Sequence, residues 1–306
     1  MKRLSLRDAI IATVAYADIF GYPLTLEELA MWFPLKRSHL AQQGETLKRL
    51  KRSRVAGVDY YGLHSVSQLV SVRHKREIWS KKKMEFAKRI GWWFRFVPTI
   101  SLVGVTGGLA MANAKKQDDI DLFFVTKKGT LWVSRLVTTL IAELLGVRRR
   151  PKDTKVMNKV CLNMFMAEDA AALPPKERDL FAAHEVLQMV PLWERDGTYQ
   201  KFLAANSWVK KFLPNAWKEK YEMINVQCTM RGIRVFLDIV HFTLRIIEPI
   251  ARFVQLWYMR NRRTNEVISG SIIRFHPTDA RVWVRDALGA RLARYNIPLD
   301  KVFCGS

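Results

Sequence analysis

Apolar positions recur at helical spacing from Leu4 to Phe20, with Leu6, Ile10, Val14 and Ala17 on one side, and Gly21-Tyr22-Pro23 stops the run. Thr25 followed by Glu28 predicts a capping box that opens a second helix through Trp32. A third helix is expected from about Ser38 to Arg52, and Val55 to Leu63 alternates as a short hairpin around Asp59. Arg73 to Phe96 predicts a long helix with a lysine-rich solvated face, whose aromatic end, Trp92-Trp93-Phe94, docks on the next domain; Pro98 breaks it. The period then shortens. Val103 to Val105 and Ile120 to Val125 are β-prone runs around a turn and a short helical piece, Thr130 to Leu145 is an amphipathic helix closed by Gly146, and Lys159 to Ala167 is a further strand.

Beyond Glu168 the pattern is wholly helical. Pro174-Pro175 opens a helix carrying His184 and Glu185, which are adjacent and therefore face different directions. Aromatic-rich short pieces come next, then an apolar length from Gly232 to Tyr258. Arg234, Asp238, His241, Arg245, Glu248 and Arg252 interrupt it at alternating steps of four and three, which puts all six on one stripe. Such a stripe is too costly for a lone spanning helix. The expectation is a long core helix packed on most of its surface and kinked at Pro249, with no transmembrane segment; a stripe lining a phosphate groove is the alternative. Phe275-His276-Pro277-Thr278-Asp279 precedes a last helix from Arg281 to Tyr295.

Chemistry concentrates in one stretch. Asp119 and Asp121 stand at i and i+2 of a strand, so both carboxylates share a face while Ile120 and Leu122 turn to the core. Paired carboxylates repel unless a cation lies between them, and hard oxygens select Mg²⁺ or Mn²⁺. The preceding strand ends in Thr106-Gly107-Gly108, where missing side chains let backbone N–H groups approach a phosphate. Strand, Gly-Gly, spacer and Asp-Ile-Asp in this order resemble the DNA polymerase β-type nucleotidyltransferase superfamily, over residues 98–170. The resemblance implies that Gly107 and Gly108 seat an NTP, that Asp119 and Asp121 hold the metal, and that Thr106 or Asn163 adds an oxygen ligand or a hydrogen bond.

One departure stands beside the match. Active members of that superfamily usually place a third carboxylate on a following strand, and the central polar residue of residues 159–167 is Asn163, whose amide can ligate but cannot act as a general base near neutral pH. Asp153, Glu168 and Asp169 are the nearby acids, and Arg148-Arg149-Arg150 is either a phosphate clamp or a solvated loop.

Composition adds a bias towards anionic partners. The 306 residues carry 51 Lys plus Arg against 28 Asp plus Glu, a net charge of +23, and that field attracts nucleic acid, nucleotides or an anionic membrane surface. At 49% hydrophobic and 26% charged, the chain has the composition of a globular protein. Three dispersed cysteines, Cys161, Cys228 and Cys304, argue against a disulfide framework or zinc site and for a cytoplasmic protein. Three helices and a hairpin in residues 1–72, with a basic cluster from Lys48 to Arg54, resemble a winged helix-turn-helix, which implies a nucleic-acid contact or a docking unit.

The expected fold class is α+β: a winged-helix-like region (1–72), a basic linker helix (73–97), a nucleotidyltransferase-like core with a small mixed sheet (98–170) and an all-helical C-terminal domain (171–306). The expected function is metal-dependent transfer of a nucleotidyl group from an NTP to an unidentified acceptor. The alternatives are a catalytically silent nucleotide-binding regulator that contacts DNA, and a peripheral membrane enzyme acting on a lipid-linked acceptor.

Overall fold

The computed structural model describes residues 4–42, 44–150, 153–224, 234–260, 267–268, 270–274 and 280–304, and within 234–243 it describes the backbone alone. The architecture is mixed α+β with sheets of three and six strands. The N-terminal part comprises α1 (Leu6–Ile19), β1 (Leu24–Thr25), α2 (Leu26–Met31), α3 (Gly44–Arg49), β2 (Lys51–Val55) and β3 (Val58–Gly62), with sheet order β1-β3-β2. The capping box is present: Thr25 Oγ1 accepts from Glu28 N while the Glu28 carboxylate accepts from Thr25 N. The third helix is shorter than its pattern. A 3-10 turn, Arg37–Gln42, precedes α3, and Lys51 and Arg52 belong to edge strand β2.

A long helix, α4 (Val66–Phe94), leads to the second sheet, formed by β4 (Ile100–Val105), β5 (Ile120–Thr126), β6 (Val160–Ala167), β7 (Val190–Glu194), β8 (Val267–Ile268) and β9 (Ile272–Arg274). Its order is β7-β4-β5-β6-β9-β8, and of the described strand pairs only β5/β6 is parallel, with an isolated parallel bridge from Arg148 to Val160 beside it. Helix α5 (Gly107–Ala110) sits in the β4–β5 connection, and α6 (Leu131–Leu144) is the crossover that a parallel pair requires. The remaining helices are α7 (Leu180–Gln188), α8 (Thr198–Ala205), α9 (Pro214–Ile224), α10 (Arg234–Met259), α11 (Ala280–Ala293) and α12 (Leu299–Phe303).

Three expectations change here. The C-terminal part is not wholly helical, because β7, β8 and β9 extend the sheet, and Pro191 lies inside β7. The face of α4 is not uniformly solvated. Arg73 and Lys83 are buried on its inner side together with Ser80, Ala87 and Phe94, whereas Trp92 and Trp93 remain half-exposed and only Phe94 docks, edge-on to Phe124. Finally, α10 turns its apolar side outward, with Ile246, Ile250, Phe253 and Trp257 all exposed. The stretch 275–279 with His276, and Cys228, lie outside the described residues.

Side-chain alternation splits the core between the two faces of the large sheet. Leu122 and Phe124 of β5 pack with α4 and α6, while Phe123 and Val125 pack with α7, α8 and the N-terminal helices. Helix α1 is buried along residues 9–16 and shares that second core with α11, and its buried Asp18 receives Arg291 Nε at 2.7 Å. Asp119 and Asp121 have the parity of Phe123. They therefore lie on the face of the sheet that the N-terminal part covers.

Candidate functional site

Strand β4 ends at Val105, and the chain turns at Thr106 into α5. Gly107 has φ +66°, a left-handed conformation that favours glycine, and a Cβ placed there would stand 3.1 Å from Asp121 Oδ2. The Thr106 N–H donates to the Asp121 carbonyl at 3.1 Å, which fixes the turn against β5. The glycine turn and the second aspartate are thus in direct apposition.

Asp119 immediately precedes β5 and Asp121 lies within it. In the parallel pairing Asp121 stands opposite Cys161, and potential ligand atoms of Asp119, Asp121 and Cys161 all lie within 4.8 Å of one another. Lys83, reaching across from α4, donates to the Asp118 carbonyl at 2.6 Å and to Asn158 Oδ1 at 3.2 Å, bracing the approach to the strand. Arg149 donates to Asp119 Oδ2 at 2.6 Å.

The electrostatics reflect this placement. Burial, with the neighbouring Asp119 charge second, pushes the Asp121 carboxyl up to about 7, although Arg149 opposes the shift. Burial and the two carboxylates push the Cys161 thiol up to about 12, so it is neutral at physiological pH. A crowded carboxylate pair with a raised pKa fits a divalent cation, and the two aspartates supply the hard oxygens that Mg²⁺ or Mn²⁺ prefers. The neutral thiol is a poor third ligand for either ion.

The other expected residues divide. Asn163 falls at a register shift in β6, since Leu162 pairs with Leu122 and Met164 with Phe123, and its side chain lies outside the described residues. The residue that β6 presents beside Asp121 is Cys161, two positions earlier. Asp153 accepts from Arg150 N, Glu168 is held by Ser101 and Lys127, and Asp169 pairs with Lys128. Arg148 and Arg150 both pair with Glu143, leaving Arg149 as the member of the arginine run that reaches the aspartates.

A cavity of about 100 Å³ opens beside the glycine turn. Its walls include Gly107, Gly108, Tyr16, Phe20, Trp32 and Glu185, so α1, α2 and α7 enclose what the sheet presents. His184 stacks on Tyr16 with ring centroids 3.9 Å apart and lies 4.9 Å from the Trp32 ring. Burial drives its imidazole down to about 3, so it serves as a neutral wall. Glu185 makes no hydrogen bond or ion pair with the described residues, and burial raises its carboxyl to about 7. Adjacent on α7, His184 and Glu185 both border this one space, a convergence that adjacency alone does not reveal. Glu185 and Gln188, three residues apart and so on one side of this helix, are the signal the sequence held.

No family model, curated protein or solved structure matches this chain. The site's geometry is therefore what bears on its chemistry.

Proposed function

We propose that this protein transfers a nucleotidyl group from a metal-bound NTP to an acceptor that enters the aromatic cavity. The observation that carries the reading is the apposition of the Asp119/Asp121 pair with the left-handed Gly107 turn at the edge of that cavity. Asp119 and Asp121 would hold the divalent ion, which neutralises charge on the phosphates and lowers the pKa of an attacking hydroxyl. Gly107 and Gly108 leave room for the triphosphate. Arg149, now on Asp119, is within reach to exchange a carboxylate for a phosphate oxygen.

The acceptor side is read from the cavity. An apolar cavity of ~150 Å³ takes a benzene-sized ligand, so a cavity of about 100 Å³ suits the nucleophile-bearing end of an acceptor rather than a nucleobase. Its hydroxyl would attack the α-phosphorus as the bond to the β-phosphate bridge breaks and pyrophosphate leaves. Glu185 is the carboxylate placed to receive the hydroxyl proton. The test is single-turnover assay of Asp119→Ala and Asp121→Ala with NTP and Mg²⁺ or Mn²⁺: each should abolish metal-dependent pyrophosphate release, and activity retained in both contradicts the reading.

A second reading is favoured by Cys161 at the position beside Asp121. With a thiol where a third carboxylate would serve, the core binds nucleotide without turnover, and the exposed Lys48, Arg49, Lys51, Arg52 and Arg54 contact DNA phosphates. Affinity for duplex DNA that falls steeply with salt, together with nucleotide binding and no turnover, would favour it.

A further inference from the structure

Helix α10 sets polar Glu248 and Gln255 beside apolar residues on its inner side and turns a row of large apolar side chains to solvent. Its inner stripe runs through Glu248, Ala251, Gln255 and Met259. The Glu248 carboxylate accepts from the N–H groups of Trp132 and Val133 at 2.8 and 2.9 Å, capping the start of α6. Gln255, buried, donates to the Trp132 carbonyl at 2.7 Å and accepts from Arg135. The opposite stripe, Ile246, Ile250, Phe253 and Trp257, is 66%, 64%, 70% and 57% exposed, and Ile247 and Val254 continue it at 43% and 49%. At 3.6 residues per turn each set shares a face, and the two faces are opposed. Water is a poor solvent for a contiguous patch of this kind, which marks an interaction site.

Charge decides what covers it. Arg245, Arg252 and Arg260 are exposed along one flank of the patch, and the Arg260 guanidinium lies 5.3 Å from the centre of the Trp257 ring. A second copy docked on this face would bring equivalent arginines together on two chains that each carry +23. An anionic bilayer offers both complements, acyl chains for the apolar stripe and phosphates for the guanidiniums, with Trp257 suited to the boundary. No helix among the described residues is long and apolar enough to cross a membrane.

We propose that α10 is an interfacial membrane-binding helix that lays its Ile246–Ile250–Phe253–Trp257 face into an anionic lipid surface. It binds in the plane of the membrane and leaves the aspartate site on the far side of the sheet from α6 and α10. The proposal stands independently of the chemistry at Asp119 and Asp121.

Co-sedimentation of the full chain with vesicles of phosphatidylcholine alone and of phosphatidylcholine with phosphatidylglycerol tests it. Because a net charge of +23 alone attracts anionic vesicles, the informative variant is Ile250→Ser with Phe253→Ser, which keeps the charge and changes only exposed side chains. Binding to the mixed vesicles should weaken about tenfold or more in this variant, with its melting temperature unchanged. The Trp257 contribution to a blue shift of tryptophan emission should vanish in Trp257→Phe. Equal sedimentation of wild type and the double variant, or no binding by either, overturns the proposal. A dimer that the double variant dissociates, without vesicle binding, overturns it in favour of a protein interface.

Discussion

At the residue scale, the candidate site depends on what glycine and the carboxylates permit. Gly107→Ala places a Cβ 3.1 Å from Asp121 Oδ2 on a backbone at φ +66°, and should cost about 1 kcal/mol in stability while removing metal-dependent nucleotide binding. Calorimetry of the unliganded and NTP-loaded protein separates the two effects. Glu185 makes a pH prediction. Its carboxyl titrates at about 7 in the folded protein against ~4.3 when unfolded, so between those values the native state holds a proton the unfolded chain releases. Stability should be greatest at the acid end of that window and fall as pH rises towards 7. Asp121 adds a slope of the same sign. Melting temperatures at about pH 5 and about pH 8, on either side of that loss, should differ less in Glu185→Gln than in wild type. Cys161→Asp supplies a third carboxylate beside Asp121, and should strengthen Mg²⁺-dependent nucleotide stabilisation while weakening the metal-free protein through like-charge repulsion. An unchanged Mg²⁺ dependence would remove Cys161 from the site.

At the scale of elements, the periodic features of the sequence were readable and their partners were not. The alternation that buries Ile120 and Leu122 and leaves Asp121 on the other face, and the Thr25–Glu28 box, come from local spacing. The inner side of α4 does not, because Arg73 and Lys83 look solvated in a run of cations. Their burial depends on residues far along the chain: Arg73 forks onto Glu28 at 2.7 and 2.8 Å and donates to the Pro23 carbonyl, with its guanidinium 4.1 Å over Tyr22. Truncating one partner of such a buried pair leaves the other uncompensated, so Arg73→Ala should destabilise the protein by about 3–5 kcal/mol in chemical denaturation. The same blindness to distant partners hid β7, β8 and β9, which are short strands recruited by a sheet already begun. Nor does the spacing of polar residues show which side chain of β6 stands opposite Asp121: Asn163 is the central polar residue of that run, but the parallel register sets Cys161 there. For α10 the charged stripe was legible, but which of its members turn inward was not: Glu248 caps the N-terminus of α6, while Arg245 and Arg252 stay exposed.

At the scale of the whole molecule, the N-terminal helices and the large sheet enclose one space. Tyr16, Phe20 and Trp32 come from the N-terminal part, Gly107 and Gly108 from the sheet connection and Glu185 from α7. The Asn113 amide clips that connection to α1 through the Phe20 carbonyl at 3.1 Å, and Arg76 joins both. A nucleotide bound at Gly107 is therefore expected to stabilise the N-terminal helices as well as the sheet, which hydrogen exchange along α1 would register as slowed amides on ligand binding. The most direct test of the central claim is the change in melting temperature with each NTP and Mg²⁺ or Mn²⁺, compared between wild type and Asp119→Ala. Ligand at about a hundred times its dissociation constant adds roughly 2.7 kcal/mol. A metal-dependent rise with at least one NTP in wild type, absent from the variant, is the predicted result. No rise with any nucleotide and either metal, or an equal rise in Asp119→Ala, would contradict it.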